Sequence, residues 1–163
     1  MTEADRITDQ LQRAFDGAAW SGPPLLITLH HLTASQAAAH PIAQAHSIWE
    51  IVLHLTAWIR TVQQRVETRR VTPLTHDQDW PAQPSALNEE LWENSLHHLR
   101  TAHQQLLGTV AVLTDADLNA AVGEEPGVEP GTAHSVYVLL HGVAQHNLYH
   151  AGQIALLRKA LGL

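Results

Sequence analysis

Three stretches of the sequence hold apolar residues at helical spacing for long enough to dictate the architecture: about 47–71, about 86–114, and about 132 to the C-terminus. Recurrence at i, i+3, i+4 and i+7 marks a helix with one buried face. Residues 2–16 form a fourth such segment, with Ile7, Leu11 and Phe15 one turn apart. No stretch alternates apolar and polar residues as a half-buried strand would, and no internal repeat is evident. The expectation is an all-α chain, and four helices with three longer than ~20 residues point to a bundle.

Punctuation along the chain agrees with this division. Gly17 and the Ser21-Gly22-Pro23-Pro24 cluster end the first helix. A short apolar stretch at about 24–32 precedes Thr33-Ala34-Ser35-Gln36, a capping box that opens one helical turn before Pro41. Ser47 is a good N-cap for the second long helix, which is expected to run to about Val71, just before Pro73. Residues 72–84, with Pro73, Pro81 and Pro84, read as an extended connection, and Ser85 as the cap of the third long helix. Thr114-Asp115 starts another short turn, Gly123 to Gly131 is a Gly/Pro/Glu loop, and the last helix begins near Thr132. At 163 residues the whole chain, 1–163, is expected to be one domain.

Composition removes several function classes. The net charge is −7 with only nine Lys and Arg, whereas nucleic-acid binding rests on clustered basic residues. The single basic pair, Arg69-Arg70, is more simply a helix C-terminus. No cysteine is present, which excludes disulfides, thiolate metal sites and a cysteine nucleophile, so any transition metal must rest on nitrogen and oxygen. The N-terminus is charged and lacks the apolar core of a signal peptide, and no apolar run reaches the ~18 residues needed to span a bilayer. A cytoplasmic protein without membrane contact is the expectation.

Histidine is the outlier, with 13 residues. A count is not a site, so what matters is which of them point inward. Taking ~100° per residue along the last helix, His150 falls about 40° from His146, inside the stripe formed by Val136, Leu139, Val143, Ile154 and Leu157. His134 and His141 fall on the opposite side and are expected to be solvated. A His-x-x-x-His pair stacks two imidazoles ~5–6 Å apart at their β-carbons, within reach of one ion at ~2.0–2.1 Å. Two core histidines that each find a separate hydrogen bond are the alternative. On the second helix His54 sits at the margin of the stripe, beside Ile51 and Trp58, with Glu50 one turn earlier. Glu50 is either a general base or hydrogen-bond support behind a ligand, or else a solvated helix carboxylate. His103 lies near the centre of the third helix's stripe, as a fourth ligand or a core residue. The remaining histidines, His40 and His46 among them, read as surface or capping residues. Trp20, Trp49, Trp58, Trp80 and Trp92 could wall a pocket, although tryptophans at helical spacing usually fill a core.

The segment from Ala45 to Trp58, AHSIWEIVLHLTAW, and that from His141 to Lys159, HGVAQHNLYHAGQIALLRK, together resemble the DinB/YfiT-like superfamily of metal-dependent enzymes. DQDWP (Asp77 to Pro81) and AAWSGPPLL (Ala18 to Leu26) are also similar to it, so the likeness covers nearly the whole chain. The resemblance implies a four-helix bundle in down-up-up-down order, with a long crossover between helices two and three. It implies a divalent metal held by His54 from the second helix and His146 and His150 from the last. Zinc and nickel are the ions expected from it, and three imidazoles also suit manganese or iron. A homodimer is implied as well. The chain permits the crossover: thirteen extended residues reach ~43 Å, and a helix over 47–70 is ~36 Å long. If helices two and three are parallel, His54 and His103 differ in level by about 16 Å, so His103 is expected not to be a ligand.

A three-histidine ion keeps an open position, as catalytic rather than structural centres do. Some relatives in the family transfer low-molecular-weight thiols of the bacillithiol or mycothiol type, so the resemblance implies a thiol S-transferase with a small-molecule thiol as partner. A metal-dependent hydrolase of a small amide or ester is the alternative, and a non-catalytic metal-binding stress protein is a third reading.

Overall fold

A computed structural model describes residues 1–123 and 134–163. The expected Gly123–Gly131 loop and the expected start of the last helix at Thr132 fall mostly or wholly outside those residues. The helix α1 (Glu3–Phe15) opens on a capping box between Thr2 and Asp5 and buries Ile7, Leu11 and Phe15. Two short helices, α2 (Leu25–Thr28) and α3 (Ala34–Ala38), follow, the second capped by Thr33 and Gln36 as expected. The long helix α4 (Ile48–Thr68) begins at the Ser47 cap.

Helix α4 ends three residues before the expected Val71. Arg69 adopts the left-handed conformation, φ 60°, and its N–H donates to Arg65 O. Its guanidinium reaches Val66 O and, at 3.2 Å, Asp117 Oδ1, while its carbonyl accepts from Gly123 N–H. These long-range partners hold a stop that local propensity does not signal.

The connection 72–84 is not wholly extended. Thr75 and Gln78 form a capping box around the single helical turn α5 (His76–Asp79). The third long helix, α6 (Glu89–Val110), starts later than Ser85 suggested, because Asn88 caps it through Leu91 N–H. It also ends earlier than 114. Thr114 caps the short α7 (Asp115–Asn119). One small ladder departs from the all-helical expectation: β1 (Ala121–Val122) pairs antiparallel with β2 (His134–Ser135), with Ala121 opposite Ser135. Two residues per strand are too few for alternation to be visible in sequence. Ser135 then caps α8 (Val136–Ala160).

The core lies where the long helices meet. Helix α4 packs on α6 and α8, and α1 packs on α8 and α6. Between α4 and α6, Trp49 donates its indole N–H to Ser95 Oγ (2.9 Å) and meets Trp92 edge to face, both rings fully buried. Trp92 in turn donates to Leu32 O, and Glu89 accepts from Ala34 N–H, which pins α3 to the start of α6. Arg158 near the end of α8 donates to Thr28 O and His30 O at the C-terminal end of α2. His103 and Asn147 are fully buried, and none of their side-chain polar atoms has a hydrogen-bond partner among the described residues. Among those residues no helix is long and apolar enough to cross a membrane.

Candidate metal centre

Helix α4 presents His54 to α8, and α8 presents His146 and His150 one turn apart on the side packed against α4. His54 and His150 are buried and His146 half-buried. His54, placed at the margin of its stripe by sequence, is thus fully inside, because α8 and the α5 turn cover it. The three rings turn the same atom toward one another. His146 Nε2 lies 3.1 Å from His54 Nε2 and 3.0 Å from His150 Nε2, and one ligand atom from each residue falls within 4.8 Å of the others.

The far side of two rings determines what those Nε2 atoms carry. His54 Nδ1 lies 2.7 Å from the Asp79 carbonyl and 3.2 Å from Asp79 Oδ1. Both are acceptors, so Nδ1 holds the proton and Nε2 offers a lone pair. His150 Nδ1 donates to Gln153 Oε1 at 2.6 Å, with the same consequence. His146 Nε2 can donate to only one of these two lone pairs. At least one contact then sets lone pair against lone pair, unless a cation lies between them. Two donors about 2.05 Å from one ion are about 2.9 Å apart at a right angle and about 3.3 Å apart at the tetrahedral angle. The observed 3.0 and 3.1 Å fall in that window, so the donor set fits a divalent ion.

Burial favours the neutral, metal-competent form of all three. It pushes His146 and His150 down to about 4, with mutual repulsion of the cluster adding to the effect for His146. His54 is also lowered by burial, against the opposing pull of Asp79.

A second layer comes from Asp79, Trp80 and His46, of which sequence reading marked only Trp80, as a possible pocket wall. The α5 turn delivers Asp79, whose carboxylate also accepts from Trp58 Nε1 at 2.6 Å. Trp80, the next residue, stacks on His54 with ring centroids 3.8 Å apart and planes within 8°. His46, exposed as expected, stacks on Trp80 at 3.6 Å. DQDWP stood out in the sequence only through the family resemblance. Nothing local says that Asp79 meets a residue 25 positions earlier.

Glu50 sits near the centre without touching its rings. Its Oε2 accepts from Ser47 N–H (2.8 Å), His40 Nε2 (3.2 Å) and His46 Nδ1 (3.3 Å). Burial works to raise its carboxyl, but these donors hold it below the ordinary value. His103 lies outside the three-histidine group; its ring stacks on Phe15 at 3.8 Å. His134 is exposed as expected, while His141 is half-buried against Tyr137, where solvation was expected. Of the tryptophans, Trp49 and Trp92 are core, Trp20 is exposed, and Trp58 and Trp80 line cavities.

Two cavities meet at the centre. One, of about 520 Å³, is lined by His46, Ile51, Trp80, His146, Tyr149 and His150. The other, of about 330 Å³, is lined by Trp58, Val62, Arg65, Val138, Leu139 and His146. His146 is a wall of both.

The family model of the DinB superfamily matches residues 24–154. A solved structure, the crystal structure of a conserved protein from Enterococcus faecalis, is similar to this chain with a TM-score of 0.70. The likeness covers 100% of this chain and 99% of that one at 14% identity, which speaks to the fold alone. No curated protein matches.

Proposed function

Since the chain belongs to the DinB superfamily, we propose that it is a divalent-metal-dependent thiol S-transferase whose ion is held by His54, His146 and His150. One observation carries the metal reading: three Nε2 atoms face one another while Asp79 and Gln153 hold the Nδ1 protons of two of the rings. Zinc and nickel are the ions the family resemblance implies, with manganese or iron as further candidates, since three imidazoles suit several ions. The packing of α4 on α6 and α8, and of α1 on α8 and α6, supports a single four-helix bundle domain. In this reading the order is down-up-up-down, and residues 69–88 form the crossover.

When bound, an ion carried by three neutral imidazoles keeps its double positive charge and lowers the pKa of a thiol or water at its open position. The protein's own groups do the rest. Asp79 and Gln153 fix ring tautomers and planes, and Trp58 and Trp80 wall the rings from water. His46 lines the larger cavity, and its Nδ1 proton is held by Glu50, so its Nε2 is a hydrogen-bond acceptor there. Glu50 acts through His46. In the transfer step the thiol gives its proton to water, the sulfur lone pair forms a bond to the electrophilic carbon, and the carbon–leaving-group bond breaks with its electrons departing on the leaving group.

Two cavities sharing His146 favour this two-substrate reaction over hydrolysis of one amide or ester. Helix α8 also exposes Tyr137, Val138, Leu148, Tyr149 and Leu156, an apolar face that supports a homodimer. The test is turnover. Protein loaded with zinc or nickel is mixed with a low-molecular-weight thiol and chlorodinitrobenzene or bromobimane. Conjugation that disappears in His150→Ala supports transfer. Metal binding without turnover across a broad panel of electrophiles, esters and amides supports a non-catalytic metal-binding protein instead.

A further inference from the structure

The smaller cavity has an unusual end. Its walls are mostly apolar, contributed by Trp58, Ile59, Val62, Val138, Leu139 and Val143, yet Arg65 also lines it. Arg65 follows His54 on the same helix by eleven residues, about 16 Å along the axis at 1.5 Å per residue. The space between is bridged by one indole. Arg65 Cζ lies 5.3 Å from the Trp58 ring centroid, and that ring lies 6.1 Å from the ring of His146. His146 and the Arg65 guanidinium therefore both line one small cavity, each close to the Trp58 indole.

Among the described residues no carboxylate lies within ion-pair distance of Arg65. Its Nε is shielded from solvent without a partner, and its hydrogen bond from Nη2 to Thr72 O is long, at 3.5 Å. The nearby carboxylate of Glu67 is occupied by Gln63 and Thr109. A half-buried guanidinium with no carboxylate partner among the described residues is costly, and an anion that docks on it recovers part of the lost solvation through charge-assisted hydrogen bonds. Its position in the last turn of α4 is favourable for a cation but supplies no counter-ion.

We infer that the smaller cavity binds a small molecule with a metal-binding head beside His146, an apolar spacer along Val62 and Leu139, and an anionic end, carboxylate or phosphate, at Arg65. A volume of about 330 Å³ suits a molecule of that size. The head group rests on the metal-centred reading above; the anionic end does not. The thiol co-substrate of the transfer reaction would thus be an acid, not a neutral thiol.

Calorimetric titration of the zinc-loaded protein separates these claims. The probes are 6-mercaptohexanoate, 6-mercaptohexyl phosphate, 6-mercaptohexan-1-ol and hexanoate, each against the native protein, Arg65→Gln and Arg65→Lys, with zinc content and melting temperature as folding controls. The acidic thiols should bind the native protein about tenfold or more tighter than the alcohol, the contribution expected of a charge-assisted pair. Arg65→Gln should erase that preference while leaving the alcohol's affinity unchanged, and Arg65→Lys should retain part of it. The more strongly favoured of carboxylate and phosphate identifies the anion. Equal binding of acid and alcohol by the native protein, or a preference that survives in Arg65→Gln, overturns the inference. If the thiols fail to bind but hexanoate binds in an Arg65-dependent way, the anionic subsite stands and the thiol reading falls. If no probe binds the native protein, both fall.

Discussion

The indole of Trp80 lies parallel to the imidazole of His54 at 3.8 Å, a contact between the α5 turn and the middle of α4. It places a fluorophore against one ring of the three-histidine group. Trp58 is also close, 6.4 Å from the His54 ring. Nickel or cobalt bound at the centre should quench tryptophan emission in proportion to occupancy, and Trp80→Phe should remove much of that response without abolishing uptake. Titration of emission against metal, with stoichiometry from elemental analysis, checks this. Quenching of equal depth in native protein and variant would place the ion elsewhere.

Asp79 supports the centre twice, through its carbonyl to His54 Nδ1 and through its carboxylate to Trp58 and His54. Asp79→Ala keeps the carbonyl and removes the carboxylate. Loss of such an outer partner weakens metal binding by about 10–100-fold, and Gln153→Ala should act in the same direction on His150. Competition against a chelating dye measures both. Unchanged affinity in each variant would mean that ring orientation does not depend on these hydrogen bonds.

His103 contributes to stability below neutral pH, as His146 and His150 do in the metal-free protein. Burial lowers His103 from 6.5 to about 4, and neither of its ring nitrogens has a hydrogen-bond partner. Between those values the unfolded chain takes up a proton that the folded chain refuses, so stability rises with pH. The contribution is complete above 6.5 and is lost as pH falls toward 4, to a limit of roughly 3 kcal/mol. His103→Leu should make this part of the pH profile shallower, leaving the share of His146 and His150, and, by removing unsatisfied buried nitrogens, raise stability near pH 7 by about 1–3 kcal/mol. Urea unfolding of the metal-free proteins from pH 4.5 to 7.5 gives both quantities. Parallel profiles for the two proteins would show that another group carries the pH dependence.

The exposed apolar face of α8 predicts the assembly. Leu156 is 57% and Tyr149 65% exposed, both beside the larger cavity. If this face joins two copies, Leu156→Glu should convert a dimer into a monomer in light scattering while helix content is retained. A native protein that is monomeric at all concentrations would remove the dimer from the account.

Much of this architecture was legible in the residues themselves, and the exceptions share one cause. Ser47, Thr33 with Gln36, and Thr114 cap helices where their side chains predict, because capping is settled within four residues. The His146–His150 pair was readable for the same reason, being one turn apart on the buried stripe. Arg69 ends α4 through Asp117 and Gly123, which no local pattern reveals. Asn88 replaces Ser85 as the cap of α6 although both residue types suit the role. Asp79, Trp80 and His46 join the centre only once the connection after α4 folds back over His54. His54 itself was ambiguous by periodicity, and the family resemblance, not the helix geometry, assigned it to the site.

The central claim is that three imidazoles from α4 and α8 close on one ion. An anomalous-difference map, recorded at the absorption edge of zinc or nickel from crystals grown with that metal, tests it most directly. The account predicts one peak per chain within about 2.0–2.2 Å of Nε2 of residues 54, 146 and 150, lost in His150→Ala. A peak elsewhere, or none at full metal saturation, would contradict it.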